Sequence, residues 1–181
     1  MTQSIKKLSV IGVLVATLMS CNQGPTLQTY FVDNELEADF ISGDIPVSVF
    51  NLEELELTEE QNEAYESIDK LNFLAFTLNE DNHEEYKAEL DKVKVILKDP
   101  KYQELMRGGN SVDGRFSIKF IGDVENIDEL ILFGNANDRG FVVARVLGDD
   151  MNAGKLMSLQ SVLKDMNFDD SNLNGFKDFF K

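Results

Sequence analysis

Cysteine, histidine and tryptophan are almost missing from this chain of 181 residues, which contains one cysteine, one histidine and no tryptophan. A single thiol excludes a disulfide within the chain, and so few cysteines and histidines exclude the usual zinc sites. Positive charge is also scarce, because 17 lysines and arginines stand against 33 acidic residues and the net charge is −16. We therefore expect no binding to nucleic acid, whose phosphates this charge would repel.

Motifs of the common enzyme classes are missing as well. The sequence contains neither the Gly-x-Ser-x-Gly elbow of serine hydrolases nor a Gly-rich phosphate loop. His83 lies beside Glu84 and Glu85, where a helix is predicted to begin. It could act as a general base, but an exposed histidine at a helix start is the favoured interpretation. We expect a protein that is not an enzyme and needs no cofactor, with a hydrolase as the least favoured alternative.

Long apolar runs are limited to one, at residues 8–19, directly after Lys6 and Lys7. That run is too short to span a bilayer, which takes about 20 apolar residues. A basic start, a short apolar segment and a small residue before Cys21 are typical of an export signal, so we predict a signal peptide over residues 1–20. The alternative is an ordinary secretory peptide in which the cysteine has no special role.

The last residues of this signal, Leu18-Met19-Ser20-Cys21, resemble the bacterial lipobox, although Met19 is bulkier than usual at its position. The resemblance implies that Cys21 is lipidated and becomes the first residue of the mature chain. Two or more acyl chains anchor a protein stably, whereas one chain is marginal. We therefore expect lipidated Cys21 to anchor the protein in a membrane. The outer membrane is the favoured one, with the protein facing the periplasm.

Hydrophobic periodicity divides the remainder into a lipidated tether at 21–26, a domain at 27–166 and a flexible acidic tail at 167–181. Five helices are predicted: one near Leu27, Tyr30 and Phe31; one from a Thr58–Gln61 capping box to Asp69; one from an Asn82–Glu85 capping box to Leu97; a short piece over residues 100–106, ended by Gly108 and Gly109; and one over residues 153–165. In the third helix, Tyr86, Leu90, Val93 and Leu97 recur with helical period and form its apolar face.

Strands are predicted at 45–50, 71–78, 111–120, 127–133 and 141–147. The second of these is apolar on both alternating faces, which is typical of a central strand. In the third, Phe116, Ile118 and Phe120 alternate with polar residues, so one face should be buried. The sequence thus predicts a single α+β domain with a mostly antiparallel sheet of about five strands, a C-terminal three-strand meander and helices packed on one side.

Two groups of oxygen-bearing side chains are candidate cation sites. The first is an acidic run for which a solvated helix face is the favoured interpretation, because no glycine turn organises its carboxylates. Its members are Glu53, Glu54, Glu56, Glu59, Glu60, Glu63 and Glu66.

The second group is a weak calcium-loop candidate in the tail. Residues 170–175 match the first half of such a loop, with oxygen ligands at alternate positions and Gly175 at the sixth. However, Lys181 stands at the twelfth position, where a glutamate should close the site, so a polar tail without metal is favoured. The candidate ligands are Asp170, Asn172, Asn174 and Asp178.

Several segments occur in an order that resembles domain-of-unknown-function family 4252, a group of small Gram-negative envelope lipoproteins. They are Tyr102-Gln103-Glu104-Leu105-Met106-Arg107 with the following Gly108-Gly109, the alternating residues 112–120, residues 127–132, Phe141-Val142-Val143 and Leu147-Gly148-Asp149. The resemblance covers residues 27–164. It implies a place in the cell envelope and at most a link to stress or sigma-factor operons, and it supplies no activity and no functional residue.

The predicted lipid anchor, the acidic domain and the family resemblance together predict a non-catalytic binding or scaffolding lipoprotein. It would act on another envelope component, with an envelope protein as its partner. A sensor or modulator of an envelope stress circuit is the alternative. The sequence leaves the oligomeric state open.

Overall fold

The structure is a computed structural model, and its described residues are 24–50, 56–110, 112 and 114–165. The predicted signal peptide, Cys21 and the predicted tail at 167–181 lie outside these ranges. Within them are helices α1 Leu27–Asn34, α2 Glu59–Glu66, α3 His83–Ile96 and α4 Ala153–Asp165, a 3-10 helix Val47–Phe50, and strands β1 Phe40–Pro46, β2 Ile68–Thr77, β3 Gln103–Asn110, β4 Gly114–Asp123, β5 Asn126–Ala136 and β6 Gly140–Met151.

The strands form one sheet in the order β1-β2-β6-β5-β4-β3, and every neighbouring pair is antiparallel. The predicted α+β class and antiparallel sheet are confirmed, with six strands where about five were expected. The predicted meander of β4, β5 and β6 is also confirmed, and β3 extends it to four consecutive strands. In the described part of the chain, no helix combines the length and apolar character needed to cross a membrane.

Helices lie on both faces of the sheet, whereas the sequence led us to expect them on one. Along β6, Phe141 and Val143 point to a first face, where they pack with buried side chains of α1 and α3. Val146 points to the opposite, second face and packs near Ala153 of α4. The central strands β2 and β6 are apolar on both alternating sides, so each face must be covered to keep its side chains from water.

The first face carries an aromatic cluster around the sheet centre. Phe76 of β2 stacks on Phe141 of β6 with ring centroids 5.6 Å apart, and Phe40 of β1 meets Phe76 edge to face at 5.1 Å. Tyr86 and Leu90 of α3 are buried against this cluster, as the helical period predicted. Aromatic pairs in such geometries add to the stabilisation that burial of their area provides.

Of the two predicted capping boxes, the one that opens α2 is confirmed. The Thr58 hydroxyl accepts from the Gln61 backbone N–H at 3.3 Å, and the Gln61 side chain accepts from the Thr58 N–H at 3.0 Å. Helix α3 begins at His83 as predicted, but the side chain of Asn82 caps nothing. Instead its amide donates to Asp39 at 2.8 Å and to a β2 carbonyl, tying the start of α3 to the sheet.

The strand predicted at 45–50 is wrong in its position. The observed strand β1 runs from Phe40 to Pro46 and pairs with β2 from Phe40↔Phe76 to Pro46↔Lys70, after which the chain enters the 3-10 helix. Proline has no N–H to donate to a ladder, which fits its place at the end of the strand. Strand β1 also lies at one edge of the sheet.

The helical piece predicted at 100–106 is also wrong. Residues from Gln103 onward form strand β3, which pairs with β4 from Gln103↔Phe120 to Asn110↔Gly114. Gly108 and Gly109 lie inside that strand rather than ending a helix. The local sequence favours a helix, but pairing with the next strand, β4, overrides the propensity of a short segment.

Candidate functional site

The residues that the sequence singled out for metal or lipid chemistry lie mostly outside the described ranges. This holds for Cys21 and for the calcium-loop candidates Asp170, Asn172, Asn174 and Asp178, so their roles stay predictions. His83 is described and is exposed at the start of α3.

Of the acidic run, Glu53 and Glu54 also lie outside, and the other five glutamates are exposed around α2. Glu63 of that run forms an ion pair with Lys155 of α4. Among the described residues, no group of three or more histidine, cysteine, aspartate or glutamate side chains is placed to hold a metal ion.

A buried ion pair lies on the first face, between strands β5 and β6. The Arg145 guanidinium donates to both carboxylate oxygens of Glu129, at 2.7 and 2.9 Å, and each side chain is 12 % exposed. Burial lowers the pKa of Arg145, but hydrogen bonding to Glu129 and its charge outweigh this, so the pKa of Arg145 is raised. Arg145 therefore stays charged in the folded protein.

Helix α1 closes over this ion pair and is held by further polar contacts. The ring of Phe31 faces the Arg145 guanidinium, with 5.3 Å from its carbon to the ring centroid. Tyr30 donates to Glu89 of α3 at 2.9 Å, and the Leu27 N–H donates to the Tyr102 hydroxyl at 3.1 Å. In the described part of the chain, every buried side-chain nitrogen and oxygen has a hydrogen-bond partner. This cluster fixes α1 to the domain and leaves no polar atom aimed at a ligand.

The second face contains a different feature, an apolar cleft between the sheet and helices α2 and α4. Its volume is about 330 Å³. It crosses five of the six strands, from β2 to β3, which at the usual strand spacing is about 19 Å. The lining residues are Val47, Tyr65, Ile68, Leu71, Leu105, Met106, Phe116, Ile118, Leu130, Leu132, Val146, Ala153, Leu156, Met157 and Leu159.

The cleft is closed at its floor and open at its entrance. Val146 and Leu159 are 7 % and 6 % exposed, whereas Phe116 of β4 is 45 % exposed. Met106 of β3 and Met157 of α4 are each 37 % exposed. Large apolar side chains that lie next to one another and are exposed to solvent are typical of a binding surface. Methionine suits this position because its flexible thioether adapts to different partners.

Phe116 owes its position at the entrance to a glycine on the neighbouring strand. Gly108 of β3 pairs with Phe116, and a Cβ atom on Gly108 would lie only 2.6 Å from the phenylalanine ring. Any larger residue at position 108 would displace the ring. Alternation along β4 predicted that Phe116 would be buried, and only the structure shows that none of the described helices covers it.

The described side chains that line the cleft are almost entirely hydrocarbon and thioether groups. Tyr65 brings the one polar side-chain group among the lining residues, and its hydroxyl donates to the backbone carbonyl of Val47 at 3.4 Å. Such a surface can hold an apolar group by burial, and its described lining residues include no carboxylate or imidazole to move a proton. Its volume is at the lower end of the range for ligand pockets.

Together these features define the class: an α+β domain with an antiparallel sheet, helices on both faces and an apolar cleft on one. The chain matches the family described as a domain of unknown function (DUF4252) over residues 35–159, and it belongs to that family. Comparison with curated proteins and with solved structures finds no match. The cleft lining falls entirely within the matched residues, whereas α1 precedes them.

Proposed function

We propose that this protein is a non-catalytic binding module of the cell envelope, and that its apolar cleft holds an apolar group of another envelope component. The observation that carries the proposal is the open entrance formed by Phe116, Met106 and Met157 above a buried apolar floor. Removing such an apolar surface from water is favourable, so the binding of an apolar partner over the cleft is stabilised by burial.

A non-catalytic role is favoured by what lines the cleft. Proton transfer needs a side chain whose pKa lies near the working pH, and nucleophilic catalysis needs an activated oxygen, sulfur or nitrogen. Among the lining residues that the structure describes, Tyr65 alone offers such a group, and its hydroxyl donates to the Val47 carbonyl. Binding is therefore the activity that this site supports.

The envelope location rests on the sequence of the first 26 residues. We propose that Cys21 carries the acyl chains and that the protein faces the periplasm from the outer membrane. Five residues, 22–26, lie between Cys21 and α1, and the six Cα–Cα steps from Cys21 to Leu27 span about 20 Å when extended. Because the Leu27 N–H donates to the Tyr102 hydroxyl, α1 connects the tether to the body of the domain, on the face of the sheet opposite the cleft.

Fluorescence titration with a neutral naphthylamine dye tests the binding role directly. The wild-type chain should bind the dye, and the double variant Met106→Glu/Met157→Glu should bind about tenfold or more weakly, because two carboxylates at the entrance resist transfer to an apolar contact. Val95→Glu is the matched control, since Val95 is 59 % exposed on α3, across the sheet from the cleft. Wild-type protein that does not bind, or a double variant that binds as wild type does, overturns the proposal.

A further inference from the structure

We propose that the apolar group held by the cleft is one unbranched acyl chain, supplied by a lipid whose head group carries no net negative charge. This inference rests on the proposed function and names the ligand class of the same site. Three features support it: the dimensions of the cleft, the polar groups of its described lining and the charge of the protein.

The cleft is long and narrow. Its lining runs from Leu71 of β2 to Met106 of β3, across five strands or about 19 Å, and its volume is about 330 Å³. Spread over that length, this volume leaves a mean cross-section of about 17 Å². Carbon atoms in contact lie about 3.5–4.0 Å apart, so an unbranched chain is about 4–5 Å wide and about 20 Å² in cross-section. The space therefore matches one hydrocarbon chain.

Polypeptide segments are too thick for the same space. A helix with its side chains is about 10–12 Å in diameter, which gives a cross-section of about 80–110 Å². An extended strand occupies about 4.8 Å within a sheet and about 10 Å between sheets, or roughly 50 Å². Both exceed the mean cross-section of the cleft about threefold or more, so neither fits along its floor.

The described lining also suits a ligand without hydrogen-bonding groups. A peptide backbone carries an N–H and a C=O at almost every residue, and burying these groups without partners is unfavourable. Among the described lining residues, Tyr65 alone has a polar side-chain group, and its hydroxyl donates to the Val47 carbonyl at 3.4 Å. An acyl chain has no polar atom beyond its linkage to the head group, so it needs no such partner inside the cleft.

The charge of the protein selects among head groups. The net charge is −16, which repels an anionic head group. Arg107 and Arg115 are each next in sequence to an entrance residue, but the alternation of side chains along a strand places them on the first face. Lys155 of α4 forms an ion pair with Glu63. A lipid with an uncharged or zwitterionic head group therefore fits this protein better than an anionic one.

Displacement of the naphthylamine dye by alkyl maltosides tests the width of the cleft. These probes have an uncharged head group, and each is used below the concentration at which it forms micelles. Dodecyl maltoside should displace the dye from the wild-type chain at a concentration about tenfold or more below that of 6-cyclohexylhexyl maltoside, because the saturated ring is wider than the space for one chain. The two probes carry equal numbers of carbons. Equal displacement by both overturns the inference.

Chain length tests whether the ligand runs along the cleft. Bonded carbons advance about 1.3 Å each along an extended chain, so about 15 carbons span the cleft. Each buried methylene strengthens binding about fourfold, so dodecyl maltoside should bind at least about tenfold more tightly than octyl maltoside. Leu132 of β5 lines the middle of the cleft. Leu132→Trp should block the longer chain there, so that the two probes bind within about threefold of each other.

Val95→Trp is the matched control, because Val95 is 59 % exposed on α3, across the sheet from the cleft. This variant should keep the preference for the longer chain. Circular dichroism and an octyl affinity close to that of wild type show that Leu132→Trp is folded, and the comparison of ring and chain uses wild type alone. A folded Leu132→Trp chain that still prefers dodecyl maltoside as wild type does overturns the inference.

The dye separates this inference from the proposed function. Its flat aromatic rings are about one carbon atom thick, so they enter the same cleft. If the dye binds but the maltosides show no preference for the unbranched or the longer chain, the cleft takes apolar groups in general and this inference fails alone. If the dye does not bind to the wild-type chain, the proposed function fails, and the inference that rests on it fails as well.

Discussion

Removing the carboxylate of Glu129 should destabilise the domain more than removal of any surface carboxylate. Arg145 keeps its charge in the folded protein, because its pKa is raised despite burial. In Glu129→Ala the guanidinium, whose side chain is 12 % exposed in the folded protein, loses both carboxylate oxygens to which it donates. An uncompensated buried charge of this kind costs about 3–5 kcal/mol, a large part of the roughly 5–15 kcal/mol that stabilises a domain.

The same protein provides a matched control on strand β3. Arg107 and Glu104 form an ion pair at 3.0 Å with side chains 77 % and 37 % exposed. A solvent-exposed pair contributes about 1 kcal/mol or less, so Glu104→Ala should change stability little. Both substitutions remove a glutamate that contacts an arginine, and they differ chiefly in burial.

Urea unfolding followed by circular dichroism measures the difference. For a domain of this size the denaturant slope is about 1–3 kcal/mol per molar urea, so Glu129→Ala should lower the midpoint by at least about 1 M, and Glu104→Ala by a few tenths at most. The double variant Glu129→Leu/Arg145→Leu should recover much of the loss, because an apolar pair replaces a buried charge. If Glu129→Ala costs no more than Glu104→Ala, the ion pair is not desolvated as described and the reasoning is refuted.

Four further predictions concern the anchor, the tail, a buried phenol and a turn. Cys21→Ser should move the protein from the membrane to the soluble fraction of a cell lysate; continued fractionation with membranes would mean that a protein partner holds it. Calcium at millimolar concentration should leave the NMR signal of Gly175 unshifted, and a saturable shift would revive the calcium loop. Burial raises the pKa of Tyr30 above its usual value of about 10, so above that pH the unfolded chain loses a proton that the folded chain keeps. Between pH 10 and 11 the free energy of unfolding should then fall by about 1 kcal/mol more in wild type than in Tyr30→Phe, and identical slopes in urea titrations over this range would contradict this. Gly140 has φ +123° and a Cβ there would lie 1.9 Å from a β2 carbonyl oxygen, so Gly140→Ala should cost more than about 1 kcal/mol, whereas Gly24→Ala, with open space around it, should be neutral in the same thermal melts.

Elements whose amphipathic pattern is strong could be read from the sequence. The period of α4 predicted its bounds at 153 and 165, and the buried residues Tyr86, Leu90 and Val93 of α3 were predicted as well. The two-sided apolar pattern of β2 correctly indicated a central strand. These segments form helices or strands because one or both of their faces are buried. The spacing of apolar residues along the sequence therefore shows which side chains are buried.

The edges of the sheet could not be read in the same way. Strand β1, with Gly43 and Pro46, has few residues of high strand propensity, and the residues just before Gly108 favour a helix locally. Both segments became strands because β2 and β4 offered unpaired backbone groups, and these pairings join residues far apart in sequence or across a tight turn. Their register is a property of the assembled sheet.

The same distinction between local pattern and assembled structure applies to the candidate site. The sequence by itself determined the strong negative charge and the apolar identity of Phe116 and Ile118, and it was sufficient to predict an anchor at Cys21. These properties depend only on residue type and local spacing. Only the tertiary structure decided that helices lie on both faces and that α4 leaves Phe116 uncovered. Which apolar side chains stay open to solvent depends on where distant helices pack, and no local pattern records that.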